Sequence, residues 1–227
     1  YAFVANSGDD TISWLDSSSG DTIDVFEVAD RPYGLEVTPD GANLLVTHLL
    51  SGSVTVIPLE NPEAITTIET WANVAPAPAA IVNASGTRAY LPQTMAHGQG
   101  LNTQFDNSVF PKVSVIDLEN NVHLTSEHIS LPETDQPVGL PWDATLARDD
   151  SELWVVNSGS NDVSVINISN PQRPVRAAHI VVGDNPRGIV ISPDGTHAYV
   201  NNTLSGTISV IDAQTYTVIN EISTTTI

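Results

Sequence analysis

The chain repeats itself, and the period of the repetition restricts its fold more than any other feature. The unit is stated in full at residues 185–212, NPRGIVISPDGTHAYVNNTLSGTISVID. It holds a short apolar run (Gly188 to Ile191), a Pro193-Asp194-Gly195 turn, a second run, a small polar loop (Thr203 to Gly206) and a third run (Ile208 to Ile211). Pro presets one turn residue and Asp-Gly tolerates the positive φ of a tight hairpin, so the first two runs are predicted to pair antiparallel. A fourth run, Thr217 to Ile222, mixes Thr, Asn and Glu with Val218 and Ile219, as a half-solvated outer strand does.

The residue that begins each second strand marks the repeat. Phe3, Leu45, Tyr90, Trp154 and Tyr199 are spaced by 42, 45, 64 and 45 residues. Third strands recur at Thr11 to Leu15, Val54 to Ile57, Val113 to Ile116, Val163 to Ile166 and Ile208 to Ile211, and the turn at 39–41 returns at 193–195. A four-stranded unit of this length cannot bury both faces alone, and radial stacking of such sheets solves that problem. The expected fold is therefore all-β: a β-propeller of four-stranded antiparallel blades, about five of them in one segment spanning 1–227. The blades fall at about 1–28 (incomplete), 31–71, 77–131, 141–182 and 186–222.

Ala198-Tyr199-Val200-Asn201-Asn202, Val210-Ile211-Asp212 and Asn185-Pro186-Arg187-Gly188 resemble the YVTN family of propeller repeats. The resemblance covers essentially the whole chain and is specific for fold rather than chemistry, since that family includes surface proteins, ligand-binding propellers and propellers joined to electron-transfer modules. Three strands in the first unit and four in each of four others make 19, one short of five complete blades. The chain is accordingly expected to be a segment of a longer ring, of seven blades as the resemblance implies. A closed five-bladed ring is the competing reading.

The third interval is 64 where its neighbours are 45, so about 19 residues are inserted, between Leu91 and Val113. The insertion, 92–111, carries His97, Phe105, Asp106 and Phe110. Insertions ending in Phe-Pro before a Val-Ser-Val-Ile-Asp strand resemble those of bacterial propellers joined to c-type cytochrome modules related to di-haem peroxidases. Antiparallel topology puts this insertion on one face with Arg31, His48, Trp142, Asp143 and Arg187, opposite the Asp-Gly hairpins. These residues, with His97, Phe105 and Asp106, are the candidate ligand or partner face. A loop of this length in a compact domain covers a site, contacts a partner or simply caps its blade. Trp142 beside Asp143 at a channel mouth can hold a cation or pack against the next blade. His48 stands where other units carry Asn. Asp9 and Asp10, in the loop Asn6 to Asp10, are the candidate metal ligands, for Ca²⁺, although the EF-hand spacing is missing and most such loops are turns.

Twenty-seven acids against six Arg and one Lys give a net charge of −20, which repels nucleic acid and anionic lipid. There is no run of 18 apolar residues to span a membrane. With no cysteine, the chain forms no disulfide and attaches no c-type haem itself, so any haem belongs to a partner or another domain of the same polypeptide. No Gly-x-Ser-x-Gly elbow, phosphate loop or His-Glu-x-x-His is present, and no catalytic residue is singled out. The leading expectation is a non-catalytic, extracytoplasmic docking platform, its partner a protein such as a c-type cytochrome. The alternative is an enzyme or enzyme subunit, either a lactonase-like propeller using channel-mouth acids, Arg and His, or the heavy part of a redox dehydrogenase.

Overall fold

The computed structural model describes residues 1–96 and 109–224. They form five antiparallel sheets in chain order. The first has three strands, β1 (Ala2–Asn6), β2 (Thr11–Leu15) and β3 (Thr22–Glu27); the second has β4 (Pro32–Val37), β5 (Asn43–His48), β6 (Val54–Pro58) and β7 (Thr66–Ile68). The third holds β8 (Ile81–Val82), β9 (Arg88–Ala96), β10 (Val109–Asp117), β11 (Val122–His123) and β12 (Ile129–Ser130), followed by one short helix, α1 (Leu131–Thr134). The fourth comprises β13 (Pro141–Leu146), β14 (Glu152–Asn157), β15 (Asp162–Asn167) and β16 (Val175–Val181), and the fifth β17 (Pro186–Ile191), β18 (His197–Asn202), β19 (Thr207–Asp212) and β20 (Thr217–Ser223). Twenty strands stand where 19 are expected, because the outer strand of the third blade is broken into β11 and β12, both paired to β10.

Radial packing explains why the second and third strands read as continuous apolar runs rather than alternating ones. Successive side chains of one strand point to opposite neighbours. Leu44 and Val46 pack with Ile12 and Phe26 of the first blade, while Leu45 between them packs with Ala89, Leu91 and Ile116 of the third. Leu153 and Val155 join Tyr90, Val113 and Val115 of the third blade, whereas Trp154 and Val156 join Ile189, Ala198, Val200 and Ile211 of the fifth. The outer strand β20 is exposed at every residue, and Tyr199, at the position of the buried Trp154, is 37% exposed.

A polar lock closes each blade between its second and third strands. Asn6 Nδ2 donates to Ser13 Oγ at 2.8 Å, Asn157 Nδ2 to Ser164 Oγ at 3.0 Å and Asn202 Nδ2 to Ser209 Oγ at 2.8 Å. At the same place Gln93 Oε1 accepts from Ser114 Oγ at 2.6 Å, and His48 Nε2 meets Thr55 Oγ1 at 2.8 Å. Such buried side-chain bonds fix strand register where the apolar faces alone would tolerate slippage.

The ladder between β9 and β10 continues from Arg88↔Asp117 out to Ala96↔Val109. Residues 92–96 and 109–111, expected as part of a loop, thus extend the hairpin outward, and Ala75 N–H and Ala96 N–H bond the connector 73–75 to it. His97, Phe105 and Asp106 lie outside the described residues.

Matched glycines on two inner strands differ in the room they leave. A Cβ on Gly34 would stand 2.6 Å from the Pro78 carbonyl oxygen and 2.7 Å from Thr47 Oγ1, which already accepts the Gly34 N–H; on Gly188 nothing lies nearer than 3.8 Å. Gly34→Ala is therefore expected to cost about 1–3 kcal/mol of stability and Gly188→Ala less than about 0.5 kcal/mol, read by urea unfolding.

Candidate functional site

Each inner strand of the second, fourth and fifth blades begins with Pro, preceded by a residue in the left-handed region: Arg31, Leu140 and Asn185, at φ 53°, 52° and 53°. After each Pro the register with the second strand shifts, and the residue that follows, Tyr33, Trp142 or Arg187, stands at that irregularity. The curvature of the ring brings these three equivalent residues together over the central channel. Tyr33 and Trp142 meet edge to face at 6.3 Å between ring centroids, and the Arg187 guanidinium lies 4.0 Å from the centroid of the Trp142 ring. Arg187 Nε donates to Asn185 Oδ1 at 2.8 Å, which orients the guanidinium over the indole.

Next to this stack sit two carboxyls. Asp143 occupies the position of Gly34 and Gly188; its Oδ2 accepts the Ile189 N–H at 3.1 Å and its Oδ1 the Ala144 N–H at 2.9 Å. Gly188 leaves room beside it on the neighbouring inner strand, where even a Cβ would stand 4.0 Å from Oδ2. Burial pushes the Asp143 carboxyl above the usual carboxylate range, against the pull of its two backbone donors. Glu36, on the inner strand of the second blade, is pushed up first by burial and then by the negative charge of Asp143. Two carboxyls on different blades thus share one electrostatic environment at the channel, and Asp143 borders a crevice of about 320 Å³ with Gly188, Val190, Tyr199 and Asn201.

A larger crevice, about 570 Å³, lies among the opposite hairpins and is lined by Arg148, Asp149, Glu152 and Asp194. Its carboxylates are committed to the fold: Asp149 to Ser151, Asp194 to Ser192 and Thr196, and Glu152 to Tyr216 and Trp154. The raised acid, Asp143, borders the smaller crevice, and neither Asp149 nor Asp194 of the larger one is raised.

Of the residues singled out from sequence, Trp142, Asp143 and Arg187 converge, and Arg31 is exposed at the start of the second inner strand. His48 does not join them. It is fully buried, with Nδ1 against the Asp30 carbonyl at 3.1 Å and Nε2 on Thr55, so it is the lock residue of its blade rather than a residue of the upper face. Burial lowers its imidazolium below the ordinary range. Asp10 Oδ1 accepts the Arg31 N–H at 2.8 Å, as Asn161 Oδ1 accepts that of Asn185 at 2.8 Å, so Asp10 joins two blades, while Asp9 is exposed. Among the described residues no three His, Asp or Glu side chains converge to hold a metal ion. Sequence reading missed Glu36 and the role of Tyr33. The signal for Glu36 was present, since Ile81, Thr145 and Val190 stand at its position in the other inner strands.

A family model described as lactonase, 7-bladed beta-propeller matches residues 111–226, half of the chain. Hydrazine synthase of Kuenenia stuttgartiensis superposes with a TM-score of 0.74 at 16% identity, over 93% of this chain and 61% of that one. The dihydro-haem d1 dehydrogenase NirN gives 0.67 at 16% identity, over 97% of this chain and 43% of that one. The periplasmic gluconolactonase PpgL of Pseudomonas aeruginosa gives 0.72 at 16% identity, over 99% and 68%. At these identities the likeness shows the propeller fold. The chain spans less than two thirds of the first two structures. No curated protein matches it.

Proposed function

The chain belongs to the lactonase family of seven-bladed β-propellers, and on that premise we propose that its channel mouth hydrolyses a sugar-like lactone. The observation that carries this reading is the pair of raised carboxyls, Asp143 and Glu36, beside the Tyr33–Trp142–Arg187 stack. Hydrolysis of a lactone needs a base for water, a cation for the oxyanion and an acid for the ring oxygen that leaves. Asp143, held toward its anionic form by two backbone N–H donors, takes a proton from water as the water oxygen attacks the carbonyl carbon. The charge that develops on the carbonyl oxygen faces the Arg187 guanidinium. Glu36, whose carboxyl burial and then the Asp143 charge push above the ordinary range, gives its proton to the ring oxygen as the C–O bond breaks. Tyr33 and Trp142 offer aromatic surface to the apolar faces of the ring.

This reading replaces the docking platform as the leading one, because the family match favours the enzyme alternative. It includes an extracytoplasmic location, supported by the periplasmic gluconolactonase among the neighbours; among the described residues no helix is long and apolar enough to cross a membrane. The test is release of acid from five- and six-membered sugar lactones, followed against pH. Because the base must be ionised and its carboxyl is raised, the rate is expected to climb through an acid limb lying above the ordinary carboxylate range. It falls again as Glu36 loses its proton. A flat profile, or no turnover of any lactone, would sink the reading.

A second reading keeps the YVTN-type propeller as a platform for a haem-bearing partner or domain. Hydrazine synthase and a dihydro-haem d1 dehydrogenase among the structural neighbours support it.

A further inference from the structure

The chain has one lysine and one methionine, and the fold puts them together. Lys112 is 5% exposed, and its Nζ donates to Met95 Sδ at 3.7 Å and lies 4.5 Å from the centroid of the Trp71 ring. No carboxylate stands within ion-pair distance of it among the described residues. Trp71 is flanked edge-on by His123 and His128 at 5.1 Å and 5.4 Å, so the groups around the amine are basic or aromatic, apart from Glu133, whose charge reaches it. A buried ammonium whose one hydrogen-bond acceptor among the described residues is a thioether is poorly satisfied, because sulfur in that state is a weak acceptor. Burial accordingly lowers the Lys112 ammonium below its ordinary range.

Met95 itself is only partly buried. It pairs with Phe110 across the outer end of the β9–β10 ladder and bridges Val74 of the connector, one residue before the exposed Ala96. Oxidation would change the sulfur from a weak acceptor to a strong one, facing an amine whose acceptor among the described residues is that sulfur.

We propose that Met95 is an oxidation site for hydroperoxides and that Lys112 captures the sulfoxide, making a redox-sensitive latch at the root of the insertion. In the step, a sulfur lone pair attacks one peroxide oxygen and an S–O bond forms as the O–O bond breaks. Sulfur loses two electrons and the peroxide gains them; the departing oxygen takes a proton and leaves as water or alcohol. A methionine sulfoxide reductase with its thiol donor restores the thioether. The latch stands apart from the channel-mouth chemistry and does not depend on it.

Because each partner is unique, the test is clean. In a [13Cε]lysine-labelled preparation of this chain, Lys112 gives one resonance. Treatment with hydrogen peroxide is expected to add one oxygen at Met95, located by peptide mass mapping, to move that resonance and to raise the proton affinity of Lys112 by at least about threefold. Met95→Leu is expected to show none of these changes. The proposal is overturned if Met95 stays unoxidised under peroxide that oxidises free methionine, or if Met95 sulfoxide forms and the Lys112 resonance and its titration stay where they were.

Discussion

Asp143→Asn is expected to lower kcat/KM for lactone hydrolysis by about 10²- to 10⁴-fold, the span that a positioned general base supplies. The loss should fall on kcat, since the amide still fills the space beside Gly188 and leaves the Tyr33–Trp142–Arg187 surface for binding. Folding should lose about 1–3 kcal/mol: Asn Oδ1 replaces one acceptor, and the other backbone donor, Ile189 or Ala144, loses its partner. The substitution also carries an internal check. The Asp143 charge is one cause of the raised Glu36 carboxyl, so removing it should bring the Glu36 titration down and shift the basic limb of any residual activity to lower pH. Glu36→Gln should instead abolish that basic limb. The stability sign runs the other way from a salt-bridged acid: both carboxyls hold protons more tightly folded than unfolded. Their contribution to stability is therefore present at low pH and is lost as pH rises from the ordinary carboxyl range through the raised one. Wild-type kcat/KM in Asp143→Asn would remove this residue from the mechanism.

The repeat told most of the fold because a propeller is built from contacts between successive units, and each unit states its own strands and turns. Phe3, Leu45, Tyr90, Trp154 and Tyr199 all stand in second strands, and the insertion emerges between β9 and β10. What the period does not contain is the distance between units that are not adjacent. Tyr33 and Trp142 belong to the second and fourth blades, 109 positions apart, and only the curvature of the ring makes them neighbours. The same gap hid Glu36, which looks like an ordinary strand-end charge until the Asp143 charge appears across the channel. His48 misled for a different reason. Against the Asn of other units it reads as a loop residue, whereas the matched side chains Asn6, Gln93, Asn157 and Asn202 all turn inward to a hydroxyl of the third strand. A histidine ring reaches the same hydroxyl while filling more of the blade interior.

The largest stability effect is expected at a residue that no motif marks. Asp135, just after α1, inserts a carboxylate of zero exposure under the outer strands of the fourth blade. It accepts from Ser164 Oγ at 2.8 Å, Arg176 Nη1 at 3.1 Å and His179 Nδ1 at 2.8 Å. Three donors from β15 and β16 therefore depend on one acceptor carried by the connector from the third blade, and Ser164 is also the lock partner of Asn157. Removing one member of a buried ion pair typically costs about 3–5 kcal/mol, because the charge left behind has no partner. Here Arg176 is 48% exposed and can turn to water, which places Asp135→Ala near the lower end, about 3 kcal/mol. In a chain of this size that corresponds to a drop in Tm of about 6–12 °C. By contrast, breaking the Arg88–Glu127 bridge, 34% and 11% exposed, should cost no more than about 1 kcal/mol. Arg176→Ala should fall between the two, since Ser164 and His179 still satisfy the carboxylate. Thermal and urea unfolding of the three variants orders them, and a loss below about 1 kcal/mol for Asp135→Ala would mean that the connector holds its blade by apolar packing of Leu131 and Val138 alone.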